Sequence, residues 1–88
     1  MQITQEKRAI TIADGFALRI VAAERMGLSP AYVDIAKLQL SGTKIHPMLG
    51  AAMEREARAI NARLSFNNQV DVGNKIVSEL VEEYGLTE

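Results

Sequence analysis

A chain of 88 residues with 48% hydrophobic and 24% charged residues has material for one packed core and a wettable surface, which excludes intrinsic disorder. A net charge of −1 supplies no general attraction to nucleic acid or anionic lipid. The absence of cysteine excludes disulfides, thiolate catalysis and cysteine-ligated metal.

No apolar run approaches the roughly 18 residues needed to span a bilayer. The opening residues Met1-Gln2-Ile3-Thr4-Gln5-Glu6-Lys7-Arg8 contain no apolar signal region, so the expectation is a cytoplasmic protein, a single domain over residues 1–88 with a short flexible N-terminus. Two Phe, two Tyr and no Trp leave the core to Leu, Ile, Val, Met and Ala, which favours close helix packing. Charge is unevenly spread: residues 31–64 carry +2, residues 65–88 carry −4.

In chain order, Thr11 followed three residues later by Asp14 reads as a capping box, and Gly27 as a C-terminal stop, predicting a helix over 12–26. Asp14-Gly15 between apolar runs is also a two-residue hairpin signal that would pair 8–13 with 16–21. The helix is preferred because Ile12, Phe16, Ile20 and Ala23 form one stripe, beside Ala13 and Ala17, and residues 22–26 are strong helix formers. Ser29-Pro30 as cap and first turn, with Gly42 closing, predicts a second helix over 30–40. Pro47, with Thr43 or His46 before it, opens a third over 47–64. Asp71 and Gly85 bracket a fourth over 72–84. The fold class is therefore all-α, a small four-helix domain.

The fourth helix is simply amphipathic, with Val72, Ile76, Val77, Leu80, Val81 and Tyr84 on one side. The third carries a main stripe of Leu49, Met53, Ala57, Ile60 and Leu64, and a second stripe of Met48, Ala51, Ala59 and Ala62 interrupted by Arg55. Leu18, Ala22 and Met26 make a second stripe on the first helix. Four short helices have too little surface to cover all of these faces, and exposed apolar patches mark partner sites. The candidate interface is Leu18, Ala22, Met26, Met48, Ala51, Arg55, Ala59 and Ala62, and the expected partner is a second copy of the chain or another protein.

Residues 19–38 offer an alternative. The run Met26-Gly27-Leu28-Ser29-Pro30-Ala31-Tyr32-Val33, with Ala23 before it, resembles the turn and recognition-helix start of phage-repressor-type DNA-binding domains. That resemblance implies a helix-turn-helix corner and a transcriptional regulator of phage or plasmid type, with Ser29, Pro30, Ala31, Asp34 and Ile35 toward the groove; under the same alternative the basic residues Arg55 and Arg58, outside the resembling segment, are further candidate DNA-facing positions. Base reading calls for Arg, Lys, Asn or Gln, and an acid and an isoleucine occupy these positions instead. The basic set Arg55, Arg58, Arg63 and Lys44 is offset by Glu54 and Glu56.

His46, the sole histidine, has no second ligand at metal spacing and reads as a cap to the third helix. No nucleophile elbow, phosphate loop or paired carboxylate occurs, so neither enzyme chemistry, cofactor nor metal is expected. The leading expectation is a non-enzymatic, homodimeric regulatory or adaptor protein.

Overall fold

The computed structural model describes residues 7–87; the N-terminus expected to be flexible, residues 1–6, lies outside them. The capping box places the first helix. The Thr11 hydroxyl accepts the Asp14 N–H while the Asp14 carboxylate accepts the Thr11 N–H, and α1 runs Ile12–Arg25. Asp14-Gly15 thus lies in a first helical turn, and the hairpin does not form. Past Met26, Gly27 takes φ +81°, and the Leu28 N–H returns to the Ala23 carbonyl at 3.1 Å, closing the helix as a left-handed stop.

The second helix departs from expectation. Ser29-Pro30 do not open it; α2 is only Val33–Leu40. Tyr32, at φ +64°, interrupts any right-handed run from Pro30, and the Ala31 N–H donates to Glu56 Oε1 at 3.3 Å instead of facing a helical turn. Glu56 therefore docks this loop; none of the arginines pairs with it. The connection from α1 is seven residues, 26–32, against the 3–4-residue turn of a helix-turn-helix.

His46 caps α3, its Nδ1 accepting the Met48 N–H at 3.1 Å, and Pro47 takes the first helical position. The helix continues two residues past the expected end, Pro47–Phe66, and stops at Asn68 with φ +56°. The fourth helix, α4, spans Val70–Glu83; it follows Gln69, and Asp71 sits in its first turn, where negative charge suits the helix dipole. Two short strands, Arg8–Ala9 (β1) and Leu86–Thr87 (β2), pair in parallel with Arg8 opposite Leu86. Two-residue strands have no periodicity to read, and the sequence offers no sign of them.

The centre of the molecule is α1, which packs against α2, α3 and α4. Ala17, Leu18, Ile20, Val21, Ala22 and Ala23 are all buried, and only small or slim side chains let three neighbours approach. This corrects one expectation. Leu18 and Ala22, proposed as interface, are each 2% exposed and belong to the chain's own core, while Met26 is half-buried against it. Conversely Ile12, expected on the core stripe, is 80% exposed at the helix start. Polar pairs join α1 to each neighbour: Glu24–Lys37 to α2, Arg19–Asn61 to α3, Arg25–Glu83 to α4. Exposed pairs of this kind contribute roughly 0–1 kcal/mol each.

The close packing has a measurable limit at Gly73. A Cβ there would lie 2.9 Å from Leu64 Cδ1 and 3.9 Å from Met26 Sδ. Gly73→Ala gains roughly 1 kcal/mol of helix propensity and displaces only the end of the Leu64 side chain, so its net effect is expected to stay within about 1 kcal/mol. Gly73→Leu overpacks the same contact and should cost about 1–3 kcal/mol. Thermal unfolding of the two variants followed by circular dichroism checks the contrast.

Candidate protein-interaction face

The long helix α3 has two unlike sides. Inward, Ala52, Met53, Ala57, Ile60 and Leu64 are buried. Outward, Met48, Ala51, Arg55, Ala59 and Ala62 are all exposed, in steps of three or four residues that keep them on one row of the helix. Phe66 continues the row four residues beyond Ala62. Met48 and Phe66, at the two ends, are 74% and 88% exposed, and no element of the described chain covers the row between them. The row is about 27 Å long at 1.5 Å per residue.

The shape of this face follows from its side chains. Three alanines leave a shallow channel, and a flexible thioether and an aromatic ring stand up at its ends. Phe66 was missed in the sequence because the helix was expected to stop at Leu64; its spacing from Ala62 was the signal available. Arg55 rises near the middle. Arg58 is held by Glu54 one turn earlier, Nη2–Oε2 3.1 Å, whereas Arg55 and Arg63 have no carboxylate partner among the described residues.

The residues named for DNA do not assemble into a reading surface. Ser29, Ala31 and Asp34 are exposed, Asp34 without a partner among the described residues, but Ile35 is half-buried against the core and Pro30 lies in the connecting loop. Arg55 and Arg58 belong to α3. The eight-residue α2 carries an acid, Asp34, in its first turn and one lysine, Lys37, in its last.

Among the described residues the single buried ionised group is Asp14, 0% exposed. Its Oδ2 accepts from Arg8 Nη1 at 2.6 Å, from the Thr11 N–H at 2.9 Å and from the Thr11 hydroxyl at 3.0 Å. Its Oδ1 accepts from Arg8 Nη2 at 3.1 Å and from Gln39 Nε2 at 3.0 Å. Arg8 Nη2 also reaches the Leu40 carbonyl at 3.0 Å, at the C-terminal end of α2, where a cation is favoured. Burial pushes the Asp14 carboxyl up, but the Arg8 guanidinium, the Thr11 N–H, the Gln39 amide and the Thr11 hydroxyl outweigh it and hold the pKa at about 2. The carboxylate accepts five hydrogen bonds and is ionised at neutral pH, so it joins β1, α1 and α2.

Elsewhere, Ser65, Asn68, Val70 and Asp71, all exposed, line an open depression at the α3–α4 corner. Among the described residues no three His, Cys, Asp or Glu side chains group as metal ligands, and no helix is long and apolar enough to cross a membrane. Comparison with protein-family models, with curated proteins and with solved structures finds no match to this chain.

Proposed function

We propose that this chain acts by binding protein through the outer face of α3, as a small regulatory or adaptor module. One observation carries the reading: a continuous row on the longest helix, from Met48 to Phe66, left uncovered by the rest of the described residues.

The test compares two sides of the molecule. Ala59→Glu puts a carboxylate in the centre of the α3 row; Glu79→Ala changes the acidic face of α4. Both positions are exposed, so both variants should keep their helical circular dichroism. Chemical cross-linking in native-host extract and sedimentation of purified protein are read together. Ala59→Glu should reduce association at least tenfold, and Glu79→Ala should leave it within about twofold. Equal effects would remove the α3 face from consideration.

A further inference from the structure

We infer that the first turn of α3 is a pH-sensitive latch, closed by His46 as a neutral imidazole and released when that imidazole is protonated. The turn leans on its cap because packing holds it weakly. In residues 47–51 no side chain is buried: Leu49 and Gly50 are half-buried, Pro47, Met48 and Ala51 exposed, and Ala52 is the first residue of α3 to enter the core. Gly50 adds backbone freedom to this turn, and no acidic residue stands in it to answer the positive end of the helix dipole. What closes the turn is Pro47, whose fixed φ suits a first helical position, and a set of hydrogen bonds to one residue. The His46 carbonyl accepts the Leu49 and Gly50 N–H groups at 2.9 and 3.1 Å, and His46 Nδ1 accepts the Met48 N–H at 3.1 Å.

The Nδ1 bond exists in one charge state only. An imidazole nitrogen that accepts a hydrogen bond carries no proton, whereas both ring nitrogens of an imidazolium are donors. Protonation sets Nδ1–H against the Met48 N–H and places a cation at the helix end that favours anions. Histidine side chains change charge between about pH 5 and 8, so the cap is made above that range and lost as the pH falls through it. The surrounding charges do not offset the change. Among the described residues no carboxylate pairs with the imidazole, and the nearest charge along the chain is the cation Lys44. On α3 itself Glu54 holds Arg58 and Glu56 holds the Ala31 N–H, and the remaining charges, Arg55 and Arg63, are cations. On α1, Asp14, Arg19, Glu24 and Arg25 are engaged by Arg8, Asn61, Lys37 and Glu83. The charges of α4, Asp71, Lys75, Glu79, Glu82 and Glu83, sit on a helix whose tight approach to α3 is Gly73 at Leu64, the opposite end from His46. Release of the turn moves Met48, the first residue of the exposed α3 row, so acid shortens that row from its N-terminal end. The latch itself does not depend on what the row binds.

His46 is the only histidine, so an imidazole titration belongs to it alone. NMR of the isotope-labelled chain between about pH 7.5 and 5.5 follows the ring nitrogens, the Met48 amide and the Cα shifts of residues 48–50. At the upper pH Nδ1 should be unprotonated and the Cα shifts helical. As the imidazole titrates, those shifts should move toward coil. Exchange of the Met48 amide, corrected for its intrinsic pH dependence, should rise about five- to tenfold, the scale of one cap and one dipole interaction. His46→Asn supplies a cap that does not titrate in this range and should hold the turn closed throughout. His46→Ala should leave it open throughout, and since His46 is exposed both variants should keep the remaining amide spectrum. Shifts at 48–50 that stay constant while the imidazole titrates overturn the latch, as does a His46→Asn protein that opens with acid as the natural chain does.

Discussion

Asp14→Ala should lower the unfolding free energy by about 3–5 kcal/mol, the range for deleting one partner of a buried pair. The substitution strands Arg8 and removes the acceptor of the Thr11 N–H and of the Gln39 amide at once. It also breaks the return half of the α1 capping box, while the Thr11 hydroxyl still accepts the N–H of residue 14. Arg8→Ala should cost less, about 2–3 kcal/mol, because Arg8 is part-exposed and Asp14 keeps Thr11 and Gln39 as donors. Urea denaturation of both variants orders the two effects, and Arg8→Ala proving the worse of the two would overturn the assignment of Asp14 as the hub.

The same carboxylate sets an acid limit. Its folded pKa, about 2, lies below the ordinary value of 3.8, so the ionised form is bound more tightly in the folded state than in the unfolded. Stability from this group is fully present above pH 4 and lost as the pH falls through 2, on the order of 2 kcal/mol over that window. Asp14→Asn should flatten this part of the pH profile. Unfolding free energies measured between pH 5 and pH 2 give the comparison, and equal slopes in the variant and the natural chain would count against it.

Leu80→Ala is the second large effect expected, about 2–5 kcal/mol from lost burial and the cavity left behind. The inner face of α4 has two fully enclosed positions, Gly73 and Leu80; Ile76, Val77, Val81 and Tyr84 are half-buried beside them. One of the two has no side chain, so Leu80 carries the docking of α4 onto α1. β2 follows α4 directly, so its pairing with β1 should loosen too. Amide exchange at Ile10, whose N–H donates to the Thr87 carbonyl at 3.0 Å, reports that coupling. A Leu80→Ala protein with unchanged midpoint would mean that the half-buried side chains hold α4 by themselves.

Phe66 illustrates why the exposed α3 row was only partly legible. The row Met48, Ala51, Ala59 and Ala62 stands out in the sequence because helical spacing puts those residues together wherever the helix lies. Whether a second apolar row faces water or a neighbour depends on the neighbour, and the rows on α1 and α3 look alike as sequence. On α1 the row Leu18–Ala22–Met26 went inside, because α1 became the central helix with three others around it. On α3 the corresponding row stayed outside, because that helix lies at the edge and packs only one face.

By itself the sequence determined the all-helical class, the capping box at Thr11–Asp14, the His46-Pro47 start, and the stops at Gly27, Gly42 and Gly85, which all have positive φ. These are local matters, decided by hydrogen bonds and backbone freedom within a few residues. The tertiary structure alone decided what lay between distant segments. The start of α2 moved to Val33 when the preceding loop was docked on Glu56, twenty-five residues away. Asp14 became a buried hub when Arg8 and Gln39 converged on it from β1 and α2. Burial is a property of neighbours, and which apolar face stayed exposed was decided by how the four helices surround one another.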